Sequence, residues 1–242
     1  MRLPGLKSAH DRTADSFASV SARFLIWLTG SKVIVTGREN IERVKGPVVF
    51  VPNHQGHMDD TLLLGYIKKP KAFVSIVEVK KYLPIYAWMK ELKCVFMDRS
   101  NIKQSVECIN KAAATVRAGR SMIIFPEGKM SGSDELGEFK RGSLKLAIKA
   151  GAPVVPVTIS CTHKVMTKNG RHIKPATLYM EIGEPIPTAG LSKQEEQQLP
   201  EKIHQIISGG MEKLHQNYNI NPESHVDGSS HAIPQEDQGC VK

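Results

Sequence analysis

The chain reads as an α/β protein: a single domain with a largely parallel mixed sheet flanked by helices, an amphipathic segment before it and a polar tail behind it. Three observations predict this class. Short β-branched runs alternate with segments of helical composition along most of the 242 residues, the order in which helical crossovers return parallel strands to one sheet. Two of the runs, Val48-Val49-Phe50-Val51 and Ser121-Met122-Ile123-Ile124-Phe125, are almost wholly apolar, which marks buried strands. Polar motifs follow directly on several of these runs, where open α/β sheets gather their functional groups.

The elements follow in order. Residues 1–30 form the N-terminal segment, in which Phe17, Val20, Phe24, Leu25, Trp27 and Leu28 make an apolar stripe broken by Ser21 and Arg23. The stripe serves either a membrane surface or the protein's own core, and the pattern is the same for both. The domain, residues 31–218, opens with strands at Ser31–Val35 and Val48–Val51, joined by a turn at Gly37 and a polar stretch ending in Gly46-Pro47. A helix starts near Asp59, an acid suited to a helix N-terminus, and the apolar run 61–67 continues it. A strand at Ala72–Val77, a short helix at Leu83–Leu92 with Pro84 in its first turn, and a strand at Cys94–Met97 come next. Ser105–Ala118 is helical by composition and closes at Gly119; Ser121–Phe125 is a strand; Ser143–Ala150 is a helix stopped by Gly151. Strands at Val154–Ile159 and Thr177–Ile182 and a charged helix over Ser192–His215 complete the domain. Residues 219–242, rich in Ser, Gly, Asn and Pro, are expected to be disordered.

Composition narrows the partners. Lys and Arg outnumber Asp and Glu by 33 to 24, a formal charge of +9. The tail holds four acids and one lysine, so the remainder carries about +12. That charge suits nucleic acid, an anionic membrane surface or a phosphorylated small molecule. Aromatics are only 6% and are not interleaved with the basic residues, which argues against nucleic acid. Cys94, Cys108, Cys161 and Cys240 show neither CxxC nor zinc spacing, so they read as reduced thiols of a cytosolic protein. No apolar run nears the roughly 20 residues that span a bilayer, and the first residues do not resemble a signal peptide. Membrane contact is therefore expected to be peripheral, at the cytoplasmic face.

The motifs at the strand ends carry the chemistry. His54 and Asp59 follow Val48–Val51 in Asn53-His54-Gln55-Gly56-His57-Met58-Asp59. On a continuous helix five residues turn through about 500°, placing the two side chains on different faces. With His54 in a loop and Asp59 in the first helical turn, the carboxylate reaches back to the ring and makes the imidazole a base. Asp98-Arg99 and Pro126-Glu127-Gly128 close two further strands, and the three motifs together argue for one active site. His57 and Asp60 beside His54 and Asp59 also allow a metal reading; without another ligand cluster in the sequence, no metal is expected.

The four blocks Asn53-His54 with Asp59, Val95-Phe96-Met97-Asp98-Arg99, Phe125-Pro126-Glu127-Gly128 and Val154-Val155-Pro156-Val157 resemble, in order, those of the glycerolipid acyltransferase family, the PlsC-type 1-acyl-sn-glycerol-3-phosphate acyltransferases. The resemblance covers residues 33–186. It implies transfer of a fatty acyl group from acyl-CoA or acyl-carrier protein to the sn-2 hydroxyl of 1-acyl-glycerol-3-phosphate, giving phosphatidic acid, with no cofactor beyond the acyl donor. Glycerol-3-phosphate or another lysophospholipid as acceptor, and a non-enzymatic anionic-lipid-binding protein, are the alternatives. By the same resemblance His54 is the general base and Asp59 its orienting acid. Arg99 binds the acceptor phosphate, and Asn53, Glu127 and Gly128 belong to the acceptor-binding side. The chain departs from the family after Gly128, where Lys129-Met130 replaces the usual Thr-Arg, and at Gly56, where the family often has Ser. Lys129, or Lys140 and Arg141, would then supply the second cation, as point charge rather than fork in the case of lysine.

Overall fold

The computed structural model describes residues 4–166 and 172–220. Among the described residues seven strands form one sheet: β1 (Lys32–Thr36), β2 (Val49–Pro52), β3 (Lys71–Ile76), β4 (Val95–Met97), β5 (Ser121–Ile123), β6 (Val154–Ser160) and β7 (Thr177–Ile182). Their order is β1-β7-β6-β2-β5-β3-β4. Every neighbouring pair is parallel except β6 and β7. The expected class is therefore the one found, and five strands from β6 to β4 run in one direction. β2 is the middle strand, and all its residues are buried, as are all seven of β6. β7 alternates partly and fully buried residues, the mark of a strand nearer the sheet margin.

Eight helices among the described residues surround the sheet: α1 (Pro4–Leu28), α2 (Arg38–Glu42), α3 (Asp59–Tyr66), α4 (Leu83–Glu91), α5 (Ile102–Arg117), α6 (Lys145–Ala150), α7 (Thr162–Val165) and α8 (Lys193–Tyr218). The sequence does not predict α2, α7 or a 3-10 turn at Val77–Lys81, which are four or five residues long and too short to show a helical period. α5 begins at Ile102 rather than Ser105 because Asn101 caps it, its side chain accepting from the Gln104 N–H. α8 begins with a reciprocal Ser192–Glu195 capping box. It lies against β6 at Gly210, where a Cβ would meet the Thr158 side chain. The tail beyond Ile220, with Cys240, lies outside the described residues.

α1 docks on the core through a face other than its stripe. Ala14, Ala18, Ala22 and Ile26, spaced by four, are buried, and α1 packs on α3. At the crossing, Ser19 Oγ and Arg23 Nε both donate to the Gly65 carbonyl, at 3.0 and 2.7 Å. Arg120 adds a two-pronged bond to Asp15, at 2.7 and 3.2 Å. The large apolar residues Phe17, Val20, Phe24, Leu25, Trp27 and Leu28 face outward. Tyr82, Leu83 and Ile85 at the start of α4 are exposed too, and Phe17 meets Trp88 of α4 edge to face at 5.1 Å. Among the described residues no helix is long and apolar enough to cross a membrane.

Candidate active site

The strand order decides which motifs meet. β5 lies directly beside β2, and its last residue, Ile123, pairs with Phe50, two residues before the end of β2. The loops after these strands are therefore neighbours. His54 follows β2, and its Nδ1 lies 2.7 Å from Asp59 Oδ2. The pairing is made as the loop reading requires, with Asp59 the first residue of α3. Asp59 is fully buried, whereas the His54 side chain retains 16% exposure. Phe125, just past the end of β5, stacks on the imidazole with centroids 3.9 Å apart and planes 21° from parallel. Asp59 and Phe125 thus fix one ring nitrogen and one ring face. Nε2 makes no hydrogen bond to the described residues.

Glu127 holds this arrangement from below. Its Oε1 accepts from the His54 N–H at 2.7 Å and its Oε2 from the Gly137 N–H at 2.9 Å. Burial raises its carboxyl above the usual range, opposed by those two amides and the nearby His54. Both oxygens are spent on backbone, so in this structure Glu127 shapes the loop that carries His54. Asn53 is likewise structural in its contacts. It is buried, donates to the Ile159 carbonyl at 2.9 Å and accepts from the Ile159 N–H at 2.7 Å, extending the β2–β6 pairing by one residue. The Ser131 and Gly132 N–H groups donate to the carbonyls of His54 and Gln55, at 2.8 and 3.0 Å, and bind the loop after β5 to the loop after β2.

The cationic side is more open. Gly128 has φ 72°, a conformation that L side chains avoid. A Cβ there would lie 2.9 Å from Lys140 Nζ, so the Lys140 chain lies across Gly128 at the β5 end. Lys129 is exposed. Arg99 is exposed at the end of β4, three strands from β2, a lateral step of about 14 Å at about 4.8 Å per strand. It forms no ion pair with Asp98. Asp98 Oδ1 instead accepts from the Ser100 hydroxyl and N–H, at 2.6 and 2.9 Å, and these bonds lower its pKa.

A second buried layer, invisible to the sequence reading, lies behind Asp59. Asp59 Oδ2 accepts from the N–H groups of Gln55 and Gly56, at 2.7 and 2.9 Å, as well as facing His54. Asp59 Oδ1 accepts from the Thr162 hydroxyl. Gln55 Nε2 donates to Asp134 Oδ1 at 2.9 Å, and His163 and His215 lie 3.9 and 3.8 Å from the same oxygen. Local spacing could not have revealed it, since Thr162 is 103 residues from Asp59. His57, the other histidine of the loop, is exposed. Among the described residues no group of three or more His, Cys, Asp or Glu is placed to hold a metal ion.

A family model described as Acyltransferase matches residues 32–160, the stretch from β1 to the end of β6. The chain is 33% identical over 139 residues to a probable 1-acyl-sn-glycerol-3-phosphate acyltransferase of Mycoplasma pneumoniae, covering 55% of this chain and 51% of the relative. It is 29% identical over 189 residues to a 1-acyl-sn-glycerol-3-phosphate acyltransferase of Borreliella burgdorferi, covering 78% and 75%. It thus spans about half the length of the Mycoplasma relative and three quarters of the Borreliella one. The crystal structure of the 1-acyl-sn-glycerophosphate acyltransferase PlsC from Thermotoga maritima superposes with a TM-score of 0.75 at 27% identity, covering 93% of this chain and 86% of that one.

Proposed function

The chain belongs to the acyltransferase family whose model spans residues 32–160, and we propose that it transfers a fatty acyl group from acyl-CoA or acyl-carrier protein to the sn-2 hydroxyl of 1-acyl-glycerol-3-phosphate, giving phosphatidic acid. The observation that carries this reading is His54, with Nδ1 held by a buried carboxylate, one face stacked on Phe125 and Nε2 unengaged. A hydroxyl is too weak an acid to ionise near neutrality, whereas an imidazole with a pKa of about 6.5 can accept its proton. In the proposed reaction Nε2 takes that proton as the acceptor oxygen attacks the thioester carbonyl. Asp59 stabilises the imidazolium that forms. The tetrahedral intermediate then collapses, the carbon–sulfur bond breaks, and the thiolate leaves with the proton that His54 returns. The acceptor hydroxyl is the nucleophile, so no acyl-enzyme is required.

The acceptor phosphate is assigned to Arg99 and Lys140. A guanidinium offers paired donors to phosphate oxygens, and an ammonium offers a compact charge. The outward apolar face of α1 and the start of α4 are assigned to peripheral contact with an anionic membrane, which brings the site to a lipid acceptor. The test is turnover by the purified chain with a panel of lysophospholipids and glycerol-3-phosphate against both donor types, beside His54→Ala. General-base assistance contributes roughly 10²–10⁴-fold, and a loss in that range is expected. Equal turnover before and after the substitution would sink the general-base reading.

A further inference from the structure

We propose that Thr162 is a positioning residue for acyl transfer, its hydroxyl aligning the Asp59 carboxylate and, through it, the His54 ring. The inference rests on the general-base reading above. Asp59 Oδ2 is held by three donors: His54 Nδ1, the Gln55 N–H and the Gly56 N–H. These tie one oxygen of the carboxylate to the loop that carries His54. The other oxygen, Oδ1, is tied to α7 by the Thr162 hydroxyl, so any rotation of the Asp59 side chain must break hydrogen bonds at both oxygens, and without Thr162 at one only. Thr162 is fully buried, so water cannot substitute for its hydroxyl. The alternative acceptor for that hydroxyl is the neutral Gln55 Oε1 at 3.4 Å, and a carboxylate is the stronger partner.

The backbone is shaped around this contact in two places. β6 ends at Ser160, and Cys161 adopts a left-handed φ of 69° before α7 begins at Thr162. That conformation is costly for a residue with a Cβ. Here it turns the chain sharply, so that the first residue of α7 lies beside the first residue of α3. On the facing loop, a Cβ at Gly56 would lie 3.1 Å from His163 Cα and 3.3 Å from His163 N. The absence of a side chain at Gly56 therefore lets α7 come close enough for Thr162 to reach Asp59. Asp59 supports the base by orienting the ring and stabilising its cation. A carboxylate turned out of plane does both less well, and removing the hydroxyl strips a buried charged oxygen of its donor.

The experiment compares wild type, Thr162→Val, Thr162→Ser and His54→Ala by turnover of 1-oleoyl-glycerol-3-phosphate with palmitoyl-CoA, and by NMR of the hydrogen-bonded His54 Nδ1 proton. Misalignment of a catalytic group costs on the order of 10–100-fold. Thr162→Val is expected to lose that much kcat with an unchanged acceptor KM, and its Nδ1 proton resonance is expected to move upfield. Thr162→Ser is expected to restore both. A Thr162→Val protein with the native kcat and resonance would overturn the inference, as would a Thr162→Ser protein as impaired as Thr162→Val. If His54→Ala turns over normally, the general-base reading fails, while the Nδ1 resonance still decides whether Thr162 aligns the pair. If His54→Ala is dead and Thr162→Val is not impaired, only the role of Thr162 fails. Gly56→Ala, which presses on α7 without removing a polar group, gives a second test should Thr162→Val not fold. It is expected to shift the same resonance, and an unshifted resonance with native kcat would refute the proposal.

Discussion

If His54 is the base proposed above, Asp59→Asn separates the two services assigned to the carboxylate. In a Ser-His-Asp triad the same change costs about 10⁴-fold because the amide turns its NH₂ toward the ring and inverts the tautomer. Here that rotamer is blocked. The oxygen facing His54 also accepts from the Gln55 and Gly56 N–H groups, at 2.7 and 2.9 Å, and an NH₂ placed there would confront two fixed donors. The asparagine oxygen must therefore occupy the three-donor side. Its NH₂ then faces the Thr162 hydroxyl, which turns to accept and redirects its own hydrogen to Gln55 Oε1, 3.4 Å away. The tautomer survives and only the charge is lost. A hydrogen bond to a charged group contributes about 1.5–3 kcal/mol, so kcat should fall by about 10- to 150-fold, at about 1.4 kcal/mol per factor of ten. The assay is acyl transfer under acceptor saturation, paired with ¹⁵N NMR of the His54 ring. A loss near 10⁴-fold together with an inverted tautomer would refute this account of the loop.

Two other consequences are open to measurement. Lys71 is buried, donates to the Ile67 carbonyl at 2.7 Å, and has its pKa lowered from 10.5 to about 8, chiefly by desolvation. Between those values the unfolded chain binds a proton that the folded chain does not. Its contribution to stability is thus complete above pH 10.5 and is lost as pH falls through about 8. Relative to Lys71→Met, the native protein should gain about 2 kcal/mol between pH 7 and pH 9.5 in urea unfolding, and a flat difference would contradict the shift. On the outer face of α1, Phe24→Ser with Trp27→Ser should weaken sedimentation with anionic vesicles by about tenfold or more, given about 25 cal/mol per Å² of apolar surface. Both side chains are more than half exposed, so the unfolding midpoint should hold; an unchanged vesicle affinity would reassign that face.

Residues whose roles depend on near neighbours are legible in the sequence. The β-branched runs form strands, Gly119 and Gly151 stop the helices they follow, and His54 pairs with an acid five positions away across a loop. Each depends on φ/ψ preference, side-chain period or short-range reach, all written in a few consecutive residues. α2 and α7 escape because four or five residues show no period. Hydropathy cannot distinguish the outward face of α1 from its inward one, because the helix docks through alanines and leaves its large apolar residues outside.

The sequence by itself determined the class of fold, the order of its elements and the presence of a histidine–aspartate pair beside two other polar strand ends. Tertiary structure decided what each of those ends does. Because β5 lies beside β2, Glu127 grips the His54 backbone and Phe125 covers the ring; because β4 is the far edge strand, Arg99 stands apart from both. Thr162 reaches Asp59 only through the adjacency of β6 and β2 and the turn at Cys161. Strand order is set by which apolar faces pack best over the whole sheet, a sum over residues far apart in the chain, and no local window contains it.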